Sequence, residues 1–127
     1  MNDISAAIGL VQLARLDEMQ QARRAITRRY RERLRGVVRL PVNVPGSSRH
    51  LFVIRTPRRD ELAAVLRDAE IHTGVHYKPL HLYRCYGPQP SLPVAEREWR
   101  NILSLPIFPR LQIAEVDRIC DVIRRAA

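Results

Sequence analysis

The first 36 residues constrain the fold more than any other part of the chain. Residues 3–35 predict one long helix, because Asn2 or Asp3 can cap its start and Gly36 stands just past its end. Across residues 4–16 the helix is apolar nearly all round. A helix that is apolar on every side is typically buried between two bodies, so this half is predicted to form an interface.

The second half of this helix has a different pattern. Its apolar positions narrow to a stripe close to the 3.6-residue period, at Met19, Ala22, Ile26, Tyr30 and Leu34. Arginines fill most of the remaining positions: Arg23, Arg24, Arg28, Arg29, Arg31, Arg33 and Arg35. This arrangement is typical of a helix that packs on a core through one face and presents a charged face to solvent.

The remaining residues predict shorter elements. A strand at residues 51–54 is apolar on both faces and is expected to be central. It is followed by a helix ending near Glu70, a strand over residues 71–77, a helix over 95–101, a strand over 102–105, and a closing helix with Ile113, Val116, Cys120 and Ile123 inward. The order predicts an α+β domain with a long N-terminal helix and a small, three-stranded, mainly antiparallel sheet with helices on one face.

The composition is typical of one globular domain covering residues 1–127. A chain of 127 residues is long enough to bury a core, and 46% of its residues are apolar. No run of 18 apolar residues is present, which argues against a membrane-spanning helix, and the first residues lack the order of a signal peptide. Two cysteines, Cys85 and Cys120, lie too far apart to read as a metal pair and indicate reduced thiols, so a cytoplasmic location is expected.

The formal net charge of +9 leaves two interpretations open. Of the 22 basic residues only Lys78 is a lysine, a bias that a GC-rich genome would produce. Alternatively, the arginines form a functional basic surface, as in a nucleic-acid-binding module. Aromatic side chains, which stack on bases, make up only 6% of the chain, so specific nucleic-acid recognition is not expected. A self-associating interaction module is a further alternative.

The candidate functional side chains lie in residues 73–81. A short apolar run breaks into a loop at Lys78, and His76, Tyr77 and His81 cluster around that break. Loops that leave the end of a strand commonly carry function. His76 or His81 would suit a general base near neutral pH, although a histidine taken alone is more often structural.

The predicted strand argues against a metal site at these histidines. His72 and His76 would share one strand face but lie about 13 Å apart, whereas zinc ligands lie ~2 Å from the metal. The sequence contains neither a glycine-rich phosphate loop nor a Gly-x-Ser-x-Gly nucleophile elbow. No metal ligand or nucleophile of these types is therefore predicted.

Four motifs occur in order along nearly the whole chain: MNDISAAIGLVQL (residues 1–13), HLFVIR (50–55), GVHYKPLH (74–81) and LSLPIFP (103–109). In turn they resemble the segment that opens the C-terminal region, the central small-domain strand, the "HYxPLH" loop and the "SLPxxP" run of the DegT/DnrJ/StrS sugar aminotransferases. The resemblance implies the aspartate-aminotransferase fold and pyridoxal phosphate (PLP) chemistry. It also implies transfer of an amino group from glutamate or glutamine to a keto-sugar nucleotide.

The resemblance implies roles for particular residues and for the chain as a whole. Members are homodimers with active sites at the subunit interface, and the matching loop gives His76, Tyr77 and His81 a substrate-binding role. The Schiff-base lysine, its partner aspartate and most of the phosphate cup belong to the family's large N-terminal domain, which this sequence lacks. Lys78 lies in a different motif, in a loop expected to be wet, and is not suited to replace that lysine.

The chain is therefore expected to be the C-terminal small domain of such an enzyme, present as a fragment. It is expected to be inactive and without bound PLP on its own. Self-association through residues 4–16 is also expected, because the family buries that helix between domains or subunits.

Overall fold

The computed structural model describes residues 2–127, which form five α-helices and a two-stranded antiparallel sheet. The elements in chain order are α1 (Asp3–Ala14), α2 (Leu16–Leu34), β1 (Phe52–Arg55), α3 (Arg59–Asp68), α4 (Pro93–Asn101), β2 (Ile102–Leu105) and α5 (Ile113–Ala126). Two short 3₁₀ turns, Leu80–Leu82 and Arg84–Tyr86, lie between α3 and α4. The predicted α+β class is confirmed. Within this part of the chain, no helix is both long and apolar enough to cross a membrane.

The prediction of one continuous helix over residues 3–35 is wrong, because the chain breaks at Arg15. The Arg15 N–H bonds to the carbonyl of Gln12 at 3.2 Å, as in a tighter helical turn. α1 buries none of its side chains, whereas α2 buries one face along α5. Packing on this chain's own core therefore anchors only α2, and the break falls where the all-round apolar pattern gives way to an amphipathic one.

Both predicted ends of the helical segment are confirmed. The Asn2 side chain accepts a hydrogen bond from the backbone N–H of Ser5 at 2.9 Å, which caps α1. Gly36 follows the end of α2 with φ of +78°, a left-handed conformation that glycine adopts without steric cost.

One face of the sheet forms the floor of the core. Phe52 lies opposite Leu105, and Ile54 lies opposite Leu103, so the four side chains share a face and all are buried. Residues of α2, α3 and α5 close over this face, and the ring of Tyr30 stacks on Phe52 with centroids 4.9 Å apart. The sheet therefore holds three helices on one side, as the sequence predicted.

The inward positions predicted for the closing helix are largely confirmed. Val116, Cys120 and Ile123 of α5 are buried, whereas Ile113 is 42% exposed. Ile113 is the first residue of the helix, where Gln112 and Glu115 form a capping box. This end of α5 is therefore held by hydrogen bonds rather than by burial of Ile113.

The prediction of a strand over residues 71–77, and with it of a three-stranded sheet, is wrong. Only Gly74 joins the sheet, through two hydrogen bonds with Ser104 of 3.1 and 2.7 Å. Beyond Gly74 the chain folds back, so that the His76 ring lies over Gly74 instead of continuing along the sheet. A matching single bridge joins Arg39 to Arg55 at the opposite edge of the sheet.

Candidate substrate-side loop

His76 is held in place by the edge of the sheet. Its Nδ1 lies 2.9 Å from the hydroxyl oxygen of Ser104, the residue that bridges to Gly74. A Cβ atom added at Gly74 would lie 2.7 Å from Cε1 of His76, so glycine is what allows the ring to pack there. The half-buried imidazole is therefore fixed by one hydrogen bond and one close packing contact.

Tyr77 stands next to His76 and projects outward. The two rings meet edge to face, with centroids 4.9 Å apart and planes at 88°. Tyr77 is 75% exposed, which leaves its hydroxyl available to a bound molecule. His76 and Tyr77 are thus brought together as one polar and aromatic pair at the surface.

His81 lies in a separate arrangement with helix α4. Its side chain is only 10% exposed, and its Nε2 lies 3.2 Å from Oε1 of Glu96. The same carboxylate oxygen accepts hydrogen bonds from the Ser91 hydroxyl at 2.8 Å and from the Leu92 N–H at 3.1 Å. Glu96 therefore holds the loop before α4 against the helix by hydrogen bonds, and its contact with His81 is one of them. A substrate-binding role for His81 stays a prediction.

Lys78 is the chain's lysine, and its side chain lies at the surface near two aromatic rings. The side chain is exposed, with Nζ 5.2 Å from the ring centroid of Tyr83 and 6.0 Å from that of Trp99. An ammonium group near aromatic faces is stabilised by the ring quadrupole. A lysine that forms a Schiff base has to lose its proton, which burial favours and which solvent and π-contacts oppose.

The histidines at positions 72 and 76 lie outside the strands of the sheet. The strand spacing that separated His72 from His76 does not apply, because this segment is not a strand. Among residues 2–127, no three histidine, cysteine, aspartate or glutamate side chains lie together as a metal would require. His76 instead has a hydroxyl as its neighbour.

Two residues of the site were missed by the sequence analysis: Ser104 and Glu96. Ser104 belongs to the LSLPIFP run, where a polar residue in an apolar strand signals a buried hydrogen-bond partner. Glu96 lies four residues after Leu92, at the start of a helix where carboxylates favour free N–H groups. In both cases the sequence marks the residue but not its partner.

Acid is expected to release the loop that Glu96 holds. Hydrogen bonds from Ser91 and then His81 lower the pKa of Glu96 below its ordinary value of 4.5. Because the folded pKa is depressed, its stabilisation is present above pH ~4.5 and is lost as the pH falls through the lower folded value. The protection factor of the Leu92 amide, which compares its exchange rate with the intrinsic rate at the same pH, should therefore fall as the pH drops below 4.5.

The matched variants for this test lie on one helix. Glu96→Gln should flatten the acid dependence at Leu92, because the amide does not titrate. Glu98 is also on α4 and pairs with Arg55 of β1. Glu98→Gln should leave the acid dependence at Leu92 in place. An unchanged protection factor at Leu92 from pH 6 to 3 in the unaltered protein would show that Glu96 does not hold this loop.

Known proteins match this chain along nearly its full length. Residues 1–124 match the DegT/DnrJ/EryC1/StrS aminotransferase family. The aminotransferase TlmJ from Streptoalloteichus hindustanus is 36% identical with a TM-score of 0.92, and the match covers 99% of this chain and 36% of that one. DesV from S. venezuelae, solved in complex with a ketimine intermediate, is 40% identical with a TM-score of 0.88, over 94% of this chain and 35% of that one.

A third similar structure was solved with the cofactor PLP and with its amino form, PMP. Spr1654 from Streptococcus pneumoniae, assigned as a sugar aminotransferase and solved in PMP and PLP forms, is 32% identical with TM-scores of 0.92 and 0.91. The match covers 99% of this chain and about a third of the length of Spr1654. The chain thus spans roughly a third of each of these structures. With the family matched over almost every residue, the chain belongs to the DegT/DnrJ/EryC1/StrS aminotransferase family.

Proposed function

We propose that this chain is the C-terminal part of a PLP-dependent aminotransferase that acts on keto-sugar nucleotides in amino-sugar biosynthesis. The observation that carries the proposal is the match to sugar aminotransferases over 99% of the chain, which takes in the His76 loop. In this role His76 and Tyr77 contact the substrate, and His81 binds it or shapes the loop that does. A cytoplasmic location agrees with the two free thiols, Cys85 and Cys120.

The residues of this chain do not by themselves fit PLP. The cofactor needs a lysine that can lose its proton and stand against the pyridine ring. Lys78 is exposed, with Nζ near the rings of Tyr83 and Trp99, so it does not have the desolvated position that this chemistry requires. A large domain with its own lysine therefore has to supply the cofactor site, and PLP belongs to the complete enzyme.

The contribution of the chain is then to bind and orient the substrate. The Tyr77 hydroxyl is exposed and can bond sugar hydroxyl or phosphate oxygens. His76 is fixed through Nδ1 to Ser104, which leaves Nε2 as the ring atom open to a ligand. A positioned imidazole of this kind can hold a substrate hydroxyl or move a proton near neutral pH.

We further propose that α1 is an interface in the complete protein. Its apolar side chains are largely exposed in this chain: Ile4 at 73%, Ile8 at 60%, Leu10 at 69%, Val11 at 58% and Leu13 at 65%. Exposed apolar patches of this kind mark contact surfaces in proteins. The occupant is a second copy of the chain, in keeping with the homodimers that the resemblance implies.

The isolated chain should form no internal aldimine with PLP. When PLP is added, the absorbance of a protonated Schiff base should not exceed that given by an equal amount of free lysine. Lys78→Ala should leave the spectrum unchanged, and glutamate with a keto-sugar nucleotide should give no amino transfer. A stoichiometric, saturable band that disappears in Lys78→Ala would contradict the proposal, since this chain would then hold the cofactor itself.

A further inference from the structure

An open groove of about 650 Å³ lies between α2 and the segment that follows it. We call this segment, residues 35–51 between α2 and β1, the connector. Its lining includes Thr27, Glu32, Leu40 and Asn43. Five arginines complete the lining and define what we call the arginine groove: Arg24, Arg28, Arg31, Arg35 and Arg49. The groove gathers part of the chain's excess positive charge in one concave surface.

Two parts of the chain supply these arginines from opposite sides. Arg24, Arg28 and Arg31 recur every three or four residues, so they lie along one face of α2, and Arg35 is the first residue after the helix. At 1.5 Å per residue the three helical arginines span about 10 Å. Arg49 faces them from the connector. A ligand in the groove would therefore meet guanidinium groups on two sides.

The chain sorts the arginines of α2 by face. On the face toward α5, Arg29 binds Asp117 at 2.7 and 2.9 Å, and Arg33 binds Asp121. Within residues 2–127, by contrast, no arginine of the groove forms an ion pair with a carboxylate. Glu32, the acidic residue in the lining, lies 3.6 Å from Arg29 instead. The positive charge in the groove is thus left without an internal counterion.

Hydrogen bonds fix part of the groove in shape. Arg31 Nη1 donates to the carbonyl of Pro41 at 2.7 Å, which joins α2 to the connector. Arg49 Nη2 donates to the Asn43 side chain and to the Val44 carbonyl, both at 2.7 Å. Two guanidinium groups are therefore held in place before any ligand arrives, which reduces the entropy lost on binding.

Thr27, one of the lining residues of the groove, has a buried hydroxyl. Thr27 is only 5% exposed, and its hydroxyl has no hydrogen-bond partner among residues 2–127. Buried hydroxyls in folded proteins are nearly always paired. The Thr27 hydroxyl therefore adds a polar atom to a lining in which Arg24 and Arg28 have no ion-pair partner within residues 2–127.

We propose that the arginine groove binds a compact anion with two or more phosphate groups, either inorganic polyphosphate or the phosphate chain of a nucleotide. Arginine suits this chemistry because its planar fork bonds phosphate oxygens in pairs. The groove volume falls within the range of small-molecule sites, about 300–1,000 Å³. Its lining contains no aromatic side chain on which bases could stack, which favours a small anion over single-stranded nucleic acid.

This site is separate from the His76 loop. The connector enters the groove after Arg39, which bridges to β1 at one edge of the sheet. His76 follows Gly74, which bridges to β2 at the opposite edge. The groove is therefore a second site on the domain, and the proposal does not depend on the chain acting as part of an aminotransferase.

Titration of the 127-residue chain with inorganic tripolyphosphate tests the proposal. Calorimetry should give saturable binding near one anion per chain, and orthophosphate should bind at least tenfold more weakly because it meets fewer guanidinium groups. Raising the ionic strength should weaken binding, since the contacts are between charges near the surface. The double variant Arg24→Gln, Arg28→Gln should weaken binding at least tenfold, since neither side chain has a partner within residues 2–127 whose loss would disturb the fold.

A charge-matched variant separates a site from a general charge effect. Arg67→Gln with Arg110→Gln removes two exposed arginines outside the groove and should change tripolyphosphate affinity less than twofold. A nucleoside triphosphate that binds more tightly than tripolyphosphate would identify a nucleotide as the source of the phosphates, and equal binding would identify the phosphate chain alone. Equal losses in the two double variants, no saturable binding, or tenfold tighter binding of a single-stranded oligonucleotide that displaces tripolyphosphate would overturn the proposal.

Discussion

Replacing Ile8 and Val11 with glutamate is expected to turn a self-associated protein into a monomer. Both side chains stand more than half exposed on α1, a helix that buries none of its residues in this chain. Four further large apolar side chains of residues 4–16 are exposed beside them: Ile4, Leu10, Leu13 and Leu16. Together they form a patch larger than soluble monomers usually tolerate.

The size of the patch sets the expected strength of association. Several hundred Å² of apolar surface at ~25 cal/mol per Å² corresponds to several kcal/mol before the cost of association is subtracted. Dimers or larger species are therefore expected at micromolar concentrations. Two glutamates would have to be buried without partners in such an interface, a cost that exceeds the gain from the remaining apolar contacts.

Sedimentation velocity over a range of concentrations measures this effect. Val42→Glu with Val44→Glu is the matched control, because both valines are exposed in the connector and the change in net charge is the same. The control should sediment like the unaltered chain, and the α1 variant should sediment as a monomer. A compact monomer at high concentration in every case would mean that α1 folds back on its own domain and is not an interface.

Local signals in the sequence were enough to predict most helix ends and one strand. Asn2 and Gly36 mark the ends of the helical segment by their own conformational preferences, and β2 begins and ends where predicted, at Ile102 and Leu105. The break at Arg15 was missed because helix propensity is continuous there. What differs across that residue is packing, since α2 lies on α5 and α1 has no core to lie on within this chain.

The sheet shows why strand patterns alone overstate pairing. Residues 71–77 have the apolar content of a strand, but a ladder also needs room beside its partner. Pairing stops after Gly74, where the His76 ring packs over the glycine and its Nδ1 bonds to Ser104. The sequence shows a strand-like run and a glycine, whereas the contact that ends the pairing joins residues 28 positions apart.

The sequence indicates candidate side chains but not their arrangement, and their substrate-binding role stays a prediction. Motif resemblance placed His76, Tyr77 and His81 in one loop, and the structure separates them into a surface pair and a buried contact with Glu96. The arginine pattern on α2 likewise gave a charged face without showing that it divides into two. Which arginine meets an aspartate of α5 depends on how two distant helices pack, and spacing along one helix does not record that.

In the aminotransferase that contains this segment, His76→Ala is expected to lower kcat/KM at least tenfold with little loss of stability. Tenfold corresponds to about 1.4 kcal/mol of transition-state stabilisation, which is the scale of one lost contact to a substrate. The fold loses one side-chain hydrogen bond, to Ser104, from a half-buried residue, and such a bond contributes about 0.5–1.5 kcal/mol. Steady-state kinetics and thermal melts on the same preparations compare the two effects.

Three further variants test whether the rate depends on where the His76 imidazole is held as well as on its presence. Gly74→Ala keeps His76 but places a methyl group 2.7 Å from its ring, so the ring has to move and the rate should fall while the melting temperature changes little. Ser104→Ala removes the hydrogen bond that orients Nδ1, and its rate should lie between those of His76→Ala and Gly74→Ala. His72→Ala removes an exposed neighbouring histidine and should keep the full rate. If instead the rate and the melting temperature fall in parallel across the series, His76 is a packing residue, and the substrate-side role proposed for this loop is wrong.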